Sequence, residues 1–414
     1  MHYHFSFYSS ILLIFFTQGI LFSALLLKKG ITEDETHHKW LSLFVGLCSV
    51  YSLPFMLGFA GWYSLQPYQD ILFYLPLQQT LFIGPAIYFY TKSLLNPEFE
   101  FSVKHRLHFI PGFIYLLFSL IVFITDKLIL RTNFFYADGR DMDFDMWYQL
   151  LGLISMLSYA VLCIRYYLIY RRFIFQYSSF ADASQLKWVN RYLWVFTFMV
   201  LIQLVFFVLF PNWGSFLQKW WYYLVFAILN YYIGIQGFIT SLKGTVPFFV
   251  IHQTPFFIGN LPRAIPLAIS YHDDINTGEY DSQPNVEEPY EDILAWKLKL
   301  ESLIATEELY TNPTLTLMDI AQRLQTHPTF VSRIVNRAFR MNFNDWINGY
   351  RVNAVISRFE NKEYLNQTLL GIALDSGFNS KTTFNRCFRK ITGMAPKQYL
   401  KNLRPNHDLG RREA

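Results

Sequence analysis

Over the first 240 positions of this chain the apolar residues run together in long uncharged blocks. Residues 5–27 read FSFYSSILLIFFTQGILFSALLL, with no charge until Lys28 and Lys29. A hydrocarbon core of about 30 Å is crossed by about 20 helical residues at 1.5 Å each. Comparable blocks follow near 40–60, 69–92, 107–125, 147–170, 188–210 and 219–240, so the pattern predicts seven spans. The first lacks the basic start and small-residue cleavage site of a signal peptide, and is read as a retained helix. From 244 the pattern breaks. Pro247, Pro255, Pro262 and Pro266 interrupt an apolar stretch, and the acidic, turn-rich YHDDINTGEYDSQPNVEEPYED follows. Proline removes a helical hydrogen bond and clashes with the preceding turn, so 244–288 reads as a linker with an apolar part lying at the membrane surface.

After Pro289 the helical period returns with normal polarity. Tyr290 to about Thr306 carries Ile293, Leu294, Leu298, Leu300 and Ile304 among charged residues. The expected class is all-α throughout: a seven-helix transmembrane bundle, 1–243, then a soluble domain, 289–405, and a short tail, 406–414.

Composition sharpens this division. Of 414 residues 53% are hydrophobic and only 16% charged, against about 25% charged in an average soluble domain. Three scattered cysteines, Cys48, Cys163 and Cys387, exclude a disulfide scaffold and a cysteine-rich zinc site. Alternate loops differ in basic residues. One set holds eleven Lys and Arg (28, 29, 39, 92, 104, 106, 171, 172, 187, 191 and 243), the other four (127, 131, 140 and 219). Basic loops stay in the cytoplasm. The chain is therefore expected to be multi-pass in the cytoplasmic membrane, with its N-terminus outside and residue 244 onward inside. Trp62, Tyr63, Trp147, Tyr148 and Trp213 fall at the predicted outer boundaries, where interfacial aromatics belong.

Between 315 and 404 there are fourteen Lys and Arg against five Asp and Glu. Such a surplus points to an acidic polymer or an anionic surface. Two segments of this stretch share a layout. Ile320-Ala321 and Ile372-Ala373, 52 positions apart, each open a short helix with a small alanine, then a tight turn, then a second helix. Phe330, Val331, Ile334 and Phe339 form the buried face of the first second helix; Phe384, Cys387 and Phe388 form that of the other. This is the helix-turn-helix arrangement, in which the second helix can enter a major groove.

The best-defined stretch runs from Gly371 to Tyr399, GIALDSGFNSKTTFNRCFRKITGMAPKQY. It resembles the signature of the AraC/XylS family of transcriptional regulators, and Phe343–Val352 (FNDWINGYRV) resembles the start of that family's connecting helix. The resemblance covers about 297–402. It implies base-edge contacts from Thr329, Ser332 and Arg333 in the first unit, and from Lys381, Thr382, Asn385 and Arg386 in the second. Arg and Lys suit guanine, Asn suits adenine, and Thr can meet a thymine methyl. Arg337, Arg389 and Lys390 are expected on phosphates, adding affinity and salt dependence. Four residues depart from the family pattern: Gln325 and Arg340 stand where turn glycines are usual, and Val355 and Arg358 where alanine and leucine are. A left-handed backbone at Gln325 costs about 1 kcal/mol without glycine.

The membrane half carries no HExxH, GxSxG or glycine-rich phosphate loop, no metal set and no cofactor motif. Gln78 and Gln79, between Pro76 and Gly84-Pro85, are candidates for lining a ligand pocket, with interhelical hydrogen bonding the stronger alternative. The aspartates of Asp138-Gly-Arg-Asp141-Met-Asp143-Phe-Asp145 begin like a calcium loop but lack its sixth-position glycine and twelfth-position glutamate. They are read as a solvated acidic loop. His2, His4, His37 and His38 form no single ligand set, since the first pair is expected outside and the second inside.

The sequence thus predicts a non-enzymatic, membrane-anchored, one-component transcription regulator. Its expected partners are promoter DNA, the bilayer, a signal ligand of unknown nature and a second copy of itself. A transporter or membrane enzyme with a regulatory DNA-binding tail is the alternative, and an adaptor for anionic lipid or protein a further one.

Overall fold

The structure is a computed structural model that describes residues 6–96, 99–137, 139, 141–179, 186–209, 216–240 and 290–403. The expected linker, 244–288, and tail, 406–414, lie outside the described residues. The chain divides into two units, 1–170 with 185–250, and 171–184 with 251–414.

The first unit is built from α1 (Phe7–Thr32), α2 (Thr36–Tyr51), α3 (Leu53–Phe59), α4 (Tyr68–Tyr74), α5 (Thr80–Leu95), α6 (Val103–Arg106), α7 (Ile110–Phe123), α8 (Met146–Tyr177, whose last residues belong to the second unit), α9 (Lys187–Leu209) and α10 (Phe216–Ile239). Among the described residues six helical stretches are long and apolar enough to cross a membrane: 7–32, 36–59, 103–130, 146–177, 187–209 and 217–239. The block at 69–92, expected as a further span, is instead two shorter helices, α4 and α5, separated by residues 75–79. Pro76 sits in that break, where it cannot continue the hydrogen-bond ladder of α4. Of α5, thirteen of sixteen residues are buried, so it is packed inside the bundle.

The outward faces are apolar. On α7, Phe113, Ile114, Leu117, Leu120 and Ile121 are all more than half exposed. A surface of that kind belongs against hydrocarbon rather than water. Between helices, small residues allow close approach. A Cβ on Gly19 of α1 would lie 2.1 Å from Ser49 Oγ of α2, the small-residue contact common where membrane helices cross.

The second unit contains α11 (Tyr290–Thr306), α12 (Leu317–Arg323), α13 (Pro328–Phe339), α14 (Phe343–Glu360), α15 (Leu369–Asp375), α16 (Lys381–Thr392) and α17 (Pro396–Leu403). No strand occurs among the described residues; an isolated bridge pairs Ser178 with Thr316. Two cores are strung on α14. Phe343, Trp346 and Ile347 join the first, with Leu300, Ile320, Ala321, Val331 and Ile334. Val352, Val355 and Phe359 join the second, with Ile372, Ala373, Phe378, Phe384 and Phe388. One rigid helix thus carries both cores. Val355, a departure from the family pattern, is fully buried in the second core. Arg358 reaches Glu363 Oε2 at 2.6 Å and Asp375 Oδ2 at 3.6 Å, so its charge is paired rather than packed.

Candidate nucleic-acid interface

Each helix-turn-helix is set up by local chemistry. Thr316 and Asp319 form a reciprocal capping box at the start of α12, satisfying backbone N–H groups that a helix end leaves open. Thr368 caps α15, accepting from the Gly371 N–H, and Ser380 caps α16, accepting from the Thr383 N–H at 3.1 Å. The two turns are the same turn. The Thr326 N–H donates to Ala321 O at 2.9 Å, and the Phe378 N–H to Ala373 O at 3.0 Å. The left-handed residue is Gln325 (φ 51°) in the first and Gly377 (φ 93°) in the second. At Gly377 glycine is needed twice over, because a Cβ there would lie 2.1 Å from the Tyr310 carbonyl oxygen. Gln325 takes the same conformation at the expected steric cost, as does Arg340 (φ 53°) at the end of α13.

The second helices each turn one face inward. On α16, Thr383, Phe384, Cys387 and Phe388 are buried, while Lys381, Thr382, Asn385, Arg386, Arg389 and Lys390 are exposed. On α13, Val331, Ile334 and Val335 are buried; Thr329, Arg333 and Arg337 are exposed and Ser332 is half-buried. The structure therefore brings the ten expected contact residues onto the outer faces of the two helices. Burial raises the Cys387 thiol above its ordinary pKa, as suits an inert core cysteine.

Beside α16 runs a groove of about 690 Å³ whose walls include Lys381, Asn385, Arg386, Arg389, Lys390 and Lys397. Lys397, on α17, was not singled out from sequence; its only signal was its place just after Pro396. Lys390 is not simply solvated. Its Nζ lies 2.9 Å from Asp345 Oδ2 near the start of α14, an exposed pair of the kind worth under about 1 kcal/mol and readily exchanged for a phosphate.

At the midpoint of α14, between the two cores, Arg351 is 1% exposed. Its Nε donates to Tyr310 O (2.8 Å), its Nη1 to Ser179 O (2.9 Å) and its Nη2 to Asn312 O (2.7 Å) and Ser179 Oγ (2.9 Å). Asn344 and Asn348, two turns and one turn earlier, donate to the carbonyls of Ser178 (3.1 Å) and Ser179 (3.4 Å). Burial pulls the Arg351 guanidinium down to about 10, still charged at neutral pH. Sequence reasoning missed this hub, because its acceptors are backbone carbonyls far away in the chain.

In the membrane half, Gln78 is fully buried. Its side chain donates to Tyr223 OH (2.9 Å) and Tyr51 O (3.2 Å) and accepts from Gln149 Nε2 (2.6 Å). Those partners lie on α2, α8 and α10, so Gln78 is an interhelical tie. Gln79 folds back on Pro76 O, its Oε1 buried without a hydrogen-bond partner. The solvated-loop expectation for 138–145 is corrected: Asp141 and Asp143 are 5% and 3% exposed. The Asp143 N–H donates to Asp141 Oδ1 at 3.0 Å, and Asp143 Oδ2 accepts from the Gln78 N–H at 2.9 Å, which folds the loop inward. Glu35, His37 and His38 also gather, with Glu35 Oε2 3.2 and 3.1 Å from the two Nε2 atoms. A hydrogen bond from each ring accounts for those separations.

Comparison with known proteins agrees with this geometry. Residues 320–402 match the family model described as "Helix-turn-helix domain". Over 87 residues, 21% of this chain, it is 30% identical to the melibiose operon regulatory protein of Escherichia coli strain K12, and equally to that of Escherichia coli O6:H1. The match spans 28% of the length of these relatives. No solved structure matches the chain.

Proposed function

We propose, from the premise that residues 320–402 are an AraC-type helix-turn-helix domain that binds double-stranded DNA, that the chain is a membrane-anchored one-component transcription regulator. Its 1–243 region is the anchor and sensor, 244–288 the linker and 289–405 the reader. The single observation carrying the reading is the pair of matching turns, Gln322–Thr326 and Leu374–Phe378, set on one connecting helix with basic outer faces beyond them. Two such helices on one rigid rod suit successive major grooves, about 34 Å apart. Thr329, Ser332, Arg333, Lys381, Thr382, Asn385 and Arg386 would read base edges, and Arg337, Arg389 and Lys390 would hold phosphates. The basic-loop asymmetry supports an outside N-terminus and a cytoplasmic reader. A signal would act by changing the population of chains competent for DNA.

Genome-wide occupancy of the full-length protein tests this. A small set of sites sharing a sequence, lost in Arg386→Ala, is the expected result. Uniform association with DNA, or none, would refute it.

A further inference from the structure

The first reading helix, α13, starts on an uncommon cap. Ser, Thr, Asp and Asn are the usual N-caps, and Ser380 fills that place before α16. Before α13 the cap is the exposed imidazole of His327, whose Nδ1 accepts from the Thr329 N–H at 3.3 Å. The same Nδ1 lies 2.8 Å from Thr329 Oγ1. In α16 the matching contact runs inward. Ser380 Oγ meets the N–H and the hydroxyl of Thr383, a buried residue, at 3.1 and 2.9 Å. In α13 it lies on the outer face, because Thr329 is exposed and is one of the residues expected on base edges.

Only one placement of hydrogens fits this contact. A backbone N–H only donates, so the Nδ1 it faces is an acceptor and the neutral ring carries its hydrogen on Nε2. A hydrogen on Nδ1 instead would oppose that N–H and leave a donor of the helix start open. The Thr329 hydroxyl therefore gives its hydrogen to Nδ1 and keeps only lone pairs for the groove. Of the groups that the major groove presents, adenine N6 and cytosine N4 donate, while purine N7, guanine O6 and thymine O4 accept. We propose that His327 is a positioning residue: it fixes the Thr329 hydroxyl as an acceptor, so the first unit selects an exocyclic amino group, on adenine or cytosine, where Thr329 meets the DNA. The inference deepens the DNA-reading role proposed above and rests on Thr329 reaching a base edge. The N-terminal end of a reading helix is the part that meets base edges, and Thr329 is the second residue of α13.

The test uses the full-length protein in nanodiscs and a randomised double-stranded DNA library. Selection by the wild type and by Thr329→Ala locates the base pair whose preference depends on that residue. At that pair the amino-bearing base is replaced by its counterpart without the amino group, purine for adenine or 2-pyrimidinone for cytosine. Separately, the purine of the pair is replaced by its 7-deaza form, which lacks an acceptor. The wild type should lose about fivefold on the first change and nothing on the second, with both effects absent in Thr329→Ala. His327→Ala should flatten the preference at this pair by about fivefold and leave the other pairs as they were. His327→Asn, whose Oδ1 accepts from the same two donors, should keep it. Loss on the 7-deaza base alone would show Thr329 donating and overturn the proposal. So would a His327→Ala protein that binds every sequence more weakly in equal measure, the mark of a plain cap. An unchanged preference in Thr329→Ala would refute the base contact on which the inference rests, while a preference lost in Arg386→Ala would leave the DNA-reading role standing.

Discussion

Arg351, in the helix joining the two DNA-reading units, and Asp141, in the loop before α8, are both nearly inaccessible, at 1% and 5% exposure, yet their surroundings differ in kind. Around the guanidinium the chain supplies backbone carbonyls from Ser179, Tyr310 and Asn312, so its N–H groups are met within the protein. Around the carboxylate it supplies a phenol, one N–H and a second carboxylate. A fully satisfied buried charge fixes a geometry. A buried carboxyl set beside a second one instead favours its protonated form, so a proton can come and go there. The lesson is that burial alone does not say how a charged group behaves; the partner inventory does.

The largest effect should come from breaking the satisfied charge. Arg351→Met removes the guanidinium's hydrogen bonds to the carbonyls of Tyr310, Ser179 and Asn312 and should destabilise the second unit by about 3–5 kcal/mol, read as loss of amide protection over 309–316 and 344–359 in hydrogen exchange of the full chain.

Removing the carboxyl that burial disfavours should do the reverse. Asp141→Asn keeps the shape and removes the cost of a buried carboxylate beside Asp143, so the protein should gain about 1–2 kcal/mol at neutral pH. The pH dependence follows the same sign. A carboxyl held above its ordinary value near 3.8 binds a proton in the folded state that the unfolded chain releases. Stability should therefore fall as pH rises from that ordinary value through the raised one. Asp143 and Asp145, Tyr63 and Tyr136, and Lys219 face the same region and shape the curve. Thermal melting across acidic to neutral pH, flattened in Asp141→Asn, checks this; a wild-type curve rising with pH would break the contrast.

On DNA the exposed residues should separate by role. Arg386→Ala should cost about 1–3 kcal/mol and relax the preference at one base pair, whereas Arg337→Ala should weaken all sequences alike and lower the salt slope by about one. Quantitative gel shifts at several salt concentrations distinguish them. The smallest effect is expected at Gln325→Gly, which should stabilise by about 0.5–1 kcal/mol in melting, because the residue is already left-handed.

Much of this was legible in the chain itself. Ile320-Ala321 and Ile372-Ala373 announced the paired units, and α11, from Tyr290 to Thr306, follows from its apolar spacing alone. The outer faces of α13 and α16 could be read because local helical period decides which side is buried. What escaped depended on distant partners. The block at 69–92 is apolar enough to span, but Pro76 divides it and packing buries α5. Asp141 and Asp143 look like solvent-facing loop residues until Gln78 and Tyr115 draw them inward. Arg351 was one basic residue among many, since nothing near it in sequence reveals Ser179 as its acceptor.

The most direct test of the account is a base-resolution footprint of the full-length protein on the sites it occupies. Two protected major-groove segments about one helical turn apart are predicted, with Arg386→Ala releasing only one of them. A single protected segment, or protection that moves freely with sequence, would contradict a chain that reads DNA with both units at once.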